Sequence, residues 1–378
     1  MAEWEKTTLE KCTDILGDGL HGTPKYTDGG EYAFINGNNL VNGEILIKKD
    51  TKMVDYSQYE KYKKPLTNRT LLVSINGTLG NVGMYNSEKI ILGKSACYFN
   101  VKEFVDKDFI YYVVSSPMFR QYLEHSATGT TIKNISLKQM REYEFLLPPI
   151  EKQKQISSVL KMIDEKIKNN RRVNENLYEQ MLSIFNNARR TSAWNKHKLG
   201  DVLIFFDNLR KPLSSIQREK MAHIYPYYGA ASIVDYVEDY LFDGTYILIS
   251  EDGANVIDSF GHPLTQYTYG KFWVNNHAHI VKGSNDYSEA LVYAMLGTLN
   301  MQSIVTGAAQ PKINQANLRN FEAVLPESEE AQVLSELLNP MLQQMLHHNQ
   351  ENEKLSELRD ILLPQLMSGA LDVSAIDL

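Results

Sequence analysis

Residues 150–185 read IEKQKQISSVLKMIDEKIKNNRRVNENLYEQMLSIF. Apolar side chains recur in steps of three and four at Ile156, Leu160, Ile163, Ile167, Leu177, Met181 and Ile184. Asn170 and Asn174 take the two positions left between Ile167 and Leu177. That heptad spacing predicts one amphipathic helix, about 50 Å long at 1.5 Å per residue. Pro148-Pro149 ends whatever precedes it, because neither proline can donate to a regular ladder. A second stretch repeats the pattern with Leu334, Leu338, Met341, Met345, Leu355 and Leu362, and its middle is again polar at His348 and Asn352. A polar layer in a coiled-coil seam fixes register at some cost in stability.

Working outward, the chain is written twice. Trp4–Leu9 (WEKTTL) and Trp194–Leu199 (WNKHKL) are 190 apart. From Thr128-Gly129 and Thr306-Gly307 onward the offset is 178: Arg141/Arg319, Glu144/Glu322, Leu147-Pro148/Leu325-Pro326 and Asn174/Asn352. Each copy opens with short runs rich in Tyr, Val and Ile bounded by turn residues, such as RTLLVSINGTLGNVGMY and DGTYILISEDGANV, which read as strands and tight turns. Helical patches are expected at 108–124 and 288–301. The expected organisation is α+β: a mixed domain at 1–150, a central helical spacer at 151–190, a second domain at 191–326 and a distal helical segment at 327–378. The two long helices are expected to pair antiparallel as a coiled coil within a pseudo-twofold repeat.

The 378 residues are 43% hydrophobic and 22% charged, an ordinary globular composition. The net charge of −7 argues at first against nucleic-acid binding, but it is uneven. The four segments carry net 0, +4, −3 and −8 in order. The first long helix is basic and the second acidic, which favours their pairing. Cys12 and Cys97 are too few for a disulfide framework, so a reducing cytoplasm is expected. No apolar run is long enough to span a bilayer, and the amino-terminal residues have no signal-peptide pattern.

Catalytic signatures are sparse. Gly17–Gly22 reads GDGLHG, but Thr23-Pro24 follows at once and no helix opens there, so a dinucleotide site lacks its context. His277 and His279, two apart, would share one strand face, yet no third metal ligand is evident. Polar loops with basic residues are more informative: HGTPKY, INGNN, SINGTLGN and TGTTIKNIS in the first copy, NLRKPLSSIQR, YYGAAS, EDGAN and VNNHAH in the second. Asn, Arg and Lys can read base edges, while Ser, Thr and backbone N–H groups bind phosphate.

The motifs HGTPKY, LPPIEKQKQISSVLKMIDEKI, YPYYGAASIVDYV, FDGTYILISEDGAN, GKFWVNNHAHI and LRDILLPQLMSGALDVS together resemble the DNA-specificity subunits of type I restriction-modification enzymes, over nearly the whole chain. LPESEEAQVLSELLNPML departs from that family's usual helix start and places Pro340 within the second helix, suggesting a kink or a later start. The resemblance implies a non-catalytic subunit with two target-recognition domains. It would read a bipartite asymmetric site on double-stranded DNA, one half per domain, with the gap set by the helices. It implies two modification (methyltransferase) subunits and restriction/translocase subunits as partners. S-adenosylmethionine, ATP and Mg would then sit on those partners, with no cofactor or metal in this chain and no membrane association. The expected DNA contacts are Lys25, Asn38, Asn76, Thr78, Thr130 and Lys133 in the first domain, and Arg210, Lys211, Arg218, Tyr228, Asn255, Asn276 and His277 in the second. The alternatives are a coiled-coil scaffold, or a stand-alone methyltransferase or nucleotide-dependent enzyme using the GDGLHG turn.

Overall fold

The computed structural model describes residues 4–129, 132–284, 286–307 and 309–373. The chain divides into two compact units, Met1–Ile167 with Glu353–Leu378, and Lys168–Asn352. The long helices run Ile150–Thr191 and Ser328–Ser368. No helix among the described residues is long and apolar enough to cross a membrane.

In unit 1 the central sheet is antiparallel, in the order Thr13–Asp18, Ala96–Val101, Thr70–Ser74, Val82–Met84. Every residue of Thr70–Ser74 and of Ala96–Val101 is buried, as expected of strands covered on both faces. Beside it, Tyr32–Ile35 pairs in parallel with Ile90–Leu92 and antiparallel with Met53–Val54. A two-stranded ribbon joins Glu5–Thr8 to Glu144–Leu147. Unit 2 has the same plan. Its central order is Leu203–Phe205, Ala278–Gly283, Tyr246–Ser250, Thr265–Thr268. A parallel pair, Tyr225–Tyr228 with Lys271–Val274, lies beside it, and a ribbon joins Asn195–Lys198 to Glu322–Leu325. The bridges Thr128↔Asn134 and Thr306↔Lys312 stand at the same place in the two copies, at the offset of 178 read from the sequence.

The expected helix over 108–124 is two helices, Lys107–Ser115 and Pro117–Ser126. Ser116 sits before a proline, which disfavours the helical conformation. Its hydroxyl instead caps the second helix by accepting from the Phe119 N–H. The patch over 288–301 stops at Leu296, with Gly297 as its C-cap. GDGLHG is the end of a strand and a turn, and no helix opens within it. Gly19 is required because a Cβ there would lie 2.2 Å from the Leu92 carbonyl oxygen.

The second long helix begins at Ser328 and continues through Pro340, so the proline does not delay its start. The unusual sequence at that start has a local counterpart. In unit 1, Gln153 docks the helix by accepting from the Asp106 N–H at 2.9 Å and donating to the Pro148 carbonyl at 2.7 Å. In unit 2, Ser335 takes that role, donating to the Asp286 carbonyl at 2.8 Å and accepting from the Ser288 N–H at 3.0 Å.

Both long helices contribute to each core. Ile156 and Leu160 join Leu363, Leu366 and Met367 in the unit 1 core. Met181 and Phe185 join Leu334, Leu338, Leu342 and Met345 in unit 2. Of the expected seam, Ile156, Leu160, Ile163, Ile167, Asn170, Asn174, Leu334, Leu338 and Met345 are buried, while Leu177, Asn352 and Leu355 are half-buried. Within unit 1, Arg359 donates to Asp164 at 2.9 Å and Lys152 pairs with Asp372. Ascending numbers on one helix thus meet descending numbers on the other. Unit 2 shows the same sense. Asn170 Nδ2 donates to Asn352 Oδ1 at 3.0 Å and Glu351 Oε2 at 2.7 Å. Asn174 Nδ2 donates to Asn349 Oδ1 at 2.9 Å and the Met345 carbonyl at 3.2 Å, while His348 Nδ1 contacts Asn174 Oδ1 at 2.7 Å.

The heptad pattern alone predicts that leucine at Asn170 and Asn174 would stabilise the helix pair and loosen its register; the hydrogen bonds of this layer predict the opposite sign for stability. Leucine at Asn174 takes a hydrogen bond from each of His348, Asn349 and the Met345 carbonyl, and an unmet buried polar group costs about 1–3 kcal/mol. Asn174→Leu is therefore expected to lower the urea midpoint, and an unchanged or raised midpoint would show that these bonds do not stabilise the fold.

Candidate nucleic-acid interface

In unit 1 the loops after the central strands converge. Asn76, just past Thr70–Ser74, donates through Nδ2 to Asn134 Oδ1 at 3.1 Å. Gly77 N–H donates to the Lys133 carbonyl at 3.0 Å, which ties the SINGTLGN loop to TGTTIKNIS. Beside this junction lies a cleft of about 460 Å³ lined by Asp18, His21, Ile75, Asn76, Lys94, Asn134, Ile135, Ser136 and Leu137. Lys133 and Thr78 are exposed at the junction. Asn38 is exposed in a short 3-10 turn, Gly37–Asn39, and its carbonyl accepts from Lys48 Nζ. Lys25 is exposed, with its N–H held by Gln58 Oε1 at 3.1 Å. Thr130 lies outside the described residues.

Unit 2 brings its loops together through charge. Arg210 Nη1 donates to Glu251 Oε2 at 2.6 Å and to the Ala278 carbonyl at 2.8 Å. Lys312 Nζ meets the other Glu251 oxygen at 3.0 Å. Asp207 accepts from Gln315 at 2.7 Å and from the Ile280 N–H at 2.9 Å, and contacts His279 Nδ1 at 2.6 Å. The other ring nitrogen of His279 faces the Ile313 carbonyl at 2.8 Å. Asp207, Glu251 and His279 have the donor types of a divalent-cation site and lie close enough together for one. Arg210 and Lys312 already oppose the two carboxylates, however, so the cluster is built as an ion-pair network.

Several residues singled out from the sequence are placed differently from expectation. His277 and His279 do not share a strand face. His277 lies in the turn before Ala278–Gly283, half-exposed against Asp252 at 2.5 Å, and His279 is fully buried. Arg210 is committed inward. Arg218 is held by Asp235 at 2.6 Å and the Leu213 carbonyl at 2.6 Å, over the Tyr227 ring. Tyr228 is buried edge-on against Phe272. The solvent-facing candidates of unit 2 are Lys211, Asn255, Asn276 and His277. The organising residues Asp207, Glu251, Lys312 and Gln315 were not singled out from the sequence. The one available signal was the 178-residue offset, which pairs Lys312 with Asn134.

Burial alone would raise the Asp207 and Glu251 carboxyls, but their partners prevail and both lie below the usual carboxylate range. For Asp207 those partners are His279, the Ile280 N–H and Arg210; for Glu251 they are Arg210, His279 and Lys312. A depressed folded-state value contributes stability that is fully present above the unfolded value, near 4, and is lost as pH falls through the folded one. Acid titration of thermal stability from about pH 5 to 3 should therefore lower the unit 2 transition, and Glu251→Gln should flatten that fall.

The family profile for the type I restriction modification DNA specificity domain matches twice, over residues 1–179 and 191–357. A curated Haemophilus influenzae protein named as a type I restriction enzyme specificity subunit is 34% identical over 128 residues, which is 34% of this chain and 32% of that one. The MjaIX specificity subunit of Methanocaldococcus jannaschii is 20% identical over 417 aligned residues, spanning 99% of this chain and 95% of that one. Among solved structures, the type I restriction-modification S subunit from M. genitalium shares the fold, with a TM-score of 0.53 at 21% identity and 96% of each chain covered. Two profile matches spanning most of the chain, on two copies of one fold, establish that the protein belongs to the type I restriction-modification DNA-specificity family, as a specificity subunit and not a catalytic one.

Proposed function

We propose that the chain reads a bipartite, asymmetric site on double-stranded DNA, one half-site per unit. The observation that carries this is one frame used twice with divergent loops. The strand order and the 128/134 and 306/312 bridges repeat, while the loop junction is amide-based in unit 1 and ion-paired in unit 2. Divergent loops on a common frame suit two different half-sites. The exposed side chains Lys25, Asn38, Thr78, Lys133, Lys211, Asn255, Asn276 and His277 are the proposed contacts, with Asn76 at the unit 1 junction. Lysines grip phosphate, and the amides and His277 address base edges. Arg210, Arg218 and Tyr228 support the loops from within.

The long helices, 42 and 41 residues, act in this proposal as the spacer that sets the gap between half-sites. The outward face of the second carries Val333 (64% exposed) and Leu337 (53%) in unit 2, and Leu358 and Ile361 in unit 1. Apolar side chains at such positions suit protein docking, and we assign them to two modification subunits. Methylation with S-adenosylmethionine, and ATP- and Mg-dependent cleavage by restriction/translocase subunits, would then occur on the partners, in the cytoplasm.

The reconstituted chain with its modification subunit should retain one bipartite duplex over random duplex, and methylome sequencing of a host carrying the system should show that motif. Methyl transfer by the isolated chain would overturn the proposal. Lys133→Ala should weaken binding evenly across sequences and reduce the salt slope by about 1; an effect confined to one base position would place Lys133 at a base edge. Leu337→Glu should weaken capture of the modification subunit about ten-fold with an unchanged melting temperature, and full retention would remove that helix face from the interface.

A further inference from the structure

Strand register lets the two loop junctions be compared residue by residue. Ala96 pairs with Ser74 and Cys97 with Val73, while Ala278 pairs with Ser250 and His279 with Ile249. Cys97 therefore occupies the position of His279, and Ile75 that of Glu251. The backbone agrees: Ile135 N–H donates to the Ile75 carbonyl at 2.9 Å, and Ile313 N–H to the Glu251 carbonyl at 2.8 Å. Asp18 lies opposite Cys97, as Asp207 lies against His279. Three residues on, His21 stands where unit 2 has Arg210. The bridges equate Asn134 with Lys312, and one turn of helix further Leu137 matches Gln315.

Only the aspartate is common to both junctions. In unit 1 the other positions hold Ile75, Cys97, Asn134 and Leu137, and the His21 side chain is 71% exposed. The cleft lies there, lined by Asp18, His21, Ile75, Asn134 and Leu137 together with Lys94, and His21 Nε2 meets Asp18 Oδ2 at 2.6 Å. In unit 2 the Arg210 side chain is 15% exposed and reaches inward to Glu251 and to the Ala278 carbonyl. One arginine thus touches or adjoins four segments: its own turn through the Asp207 carbonyl at 3.1 Å, the 251–255 loop, the 275–278 turn, and the segment after 306 through Glu251 and Lys312. The exposed Lys211, Asn255, Asn276 and His277 ride on three of those segments.

We propose that Asp207, Arg210, Glu251, His279 and Lys312 are positioning residues for sequence discrimination at the half-site read by unit 2, and that unit 1 discriminates without an equivalent network among its described residues. This rests on the DNA-reading function proposed above. Base readout needs side chains held to a fraction of an ångström, and buried charge pairs with fixed geometry supply that hold. The network contacts no DNA itself. Its loss would let the four segments, and Lys211 with them, shift relative to one another, and would leave Lys25 and Lys133 of unit 1 in place.

The test uses the full chain with its modification subunits, and duplexes substituted one base at a time in either half-site. Lys312→Asn carries the residue that the same fold tolerates as Asn134, so it should fold. Discrimination in the unit 2 half-site is expected to fall about ten-fold, with unit 1 discrimination unchanged. Lys312→Arg, which keeps the charge, should restore it, and Glu251→Gln should reproduce the loss. Unaltered discrimination in both half-sites, an equal loss in both, or failure of Lys312→Arg to restore it would each overturn the inference. A wild-type complex that does not discriminate in either half-site would instead overturn the DNA-reading function, and this inference with it.

Discussion

Each unit depends on a segment of both long helices to close its apolar core. The central strands of unit 1 are buried throughout, and one side of their cover comes from Ile156 and Leu160 with Leu363, Leu366 and Met367. Met181, Phe185, Leu334, Leu338 and Met345 do the same for unit 2. Each such side chain contributes about 1.5–3 kcal/mol on burial, so several of them exceed the net stability of an average domain. A recognition unit built this way cannot be separated from its helices. The helices are part of the core as well as candidates for spacing.

On that shared frame the two copies satisfy their loop junctions by different chemistry. Unit 1 uses an amide pair, Asn76 and Asn134, beside an open cleft. Unit 2 fills the corresponding place with Arg210 between two carboxylates and closes it with Lys312 and His279. Buried charges are costly unless paired and hydrogen-bonded, and here each carboxylate has cationic partners and N–H donors. The copies could drift apart at the junction because the strands below carry the fold.

The duplication, the long helices and the buried strands were legible in the sequence because each is a periodic or register-preserving signal. Heptad spacing marked Ile156 to Ile184, and the offset of 178 marked the second copy. Helix boundaries were less legible. Ser116-Pro117 splits one apparent helix, and Pro340 does not interrupt another. The candidate contacts divided by exposure. Lys133, Lys211, Asn255, Asn276 and His277 face solvent, whereas Arg210, Arg218 and Tyr228 turn inward.

The sequence by itself determined the family, the two-copy plan and the amphipathic faces, since these follow from spacing along one chain. The partner of each polar side chain was decided only by tertiary structure. Arg210 meets Glu251 and Asn174 meets His348 across 41 and 174 residues, and His279 is buried while His277 two residues earlier is not. Charge and amide chemistry are equally compatible with a groove of DNA or with a buried partner. Which one a side chain serves depends on where the backbone points it, and distant segments set that direction.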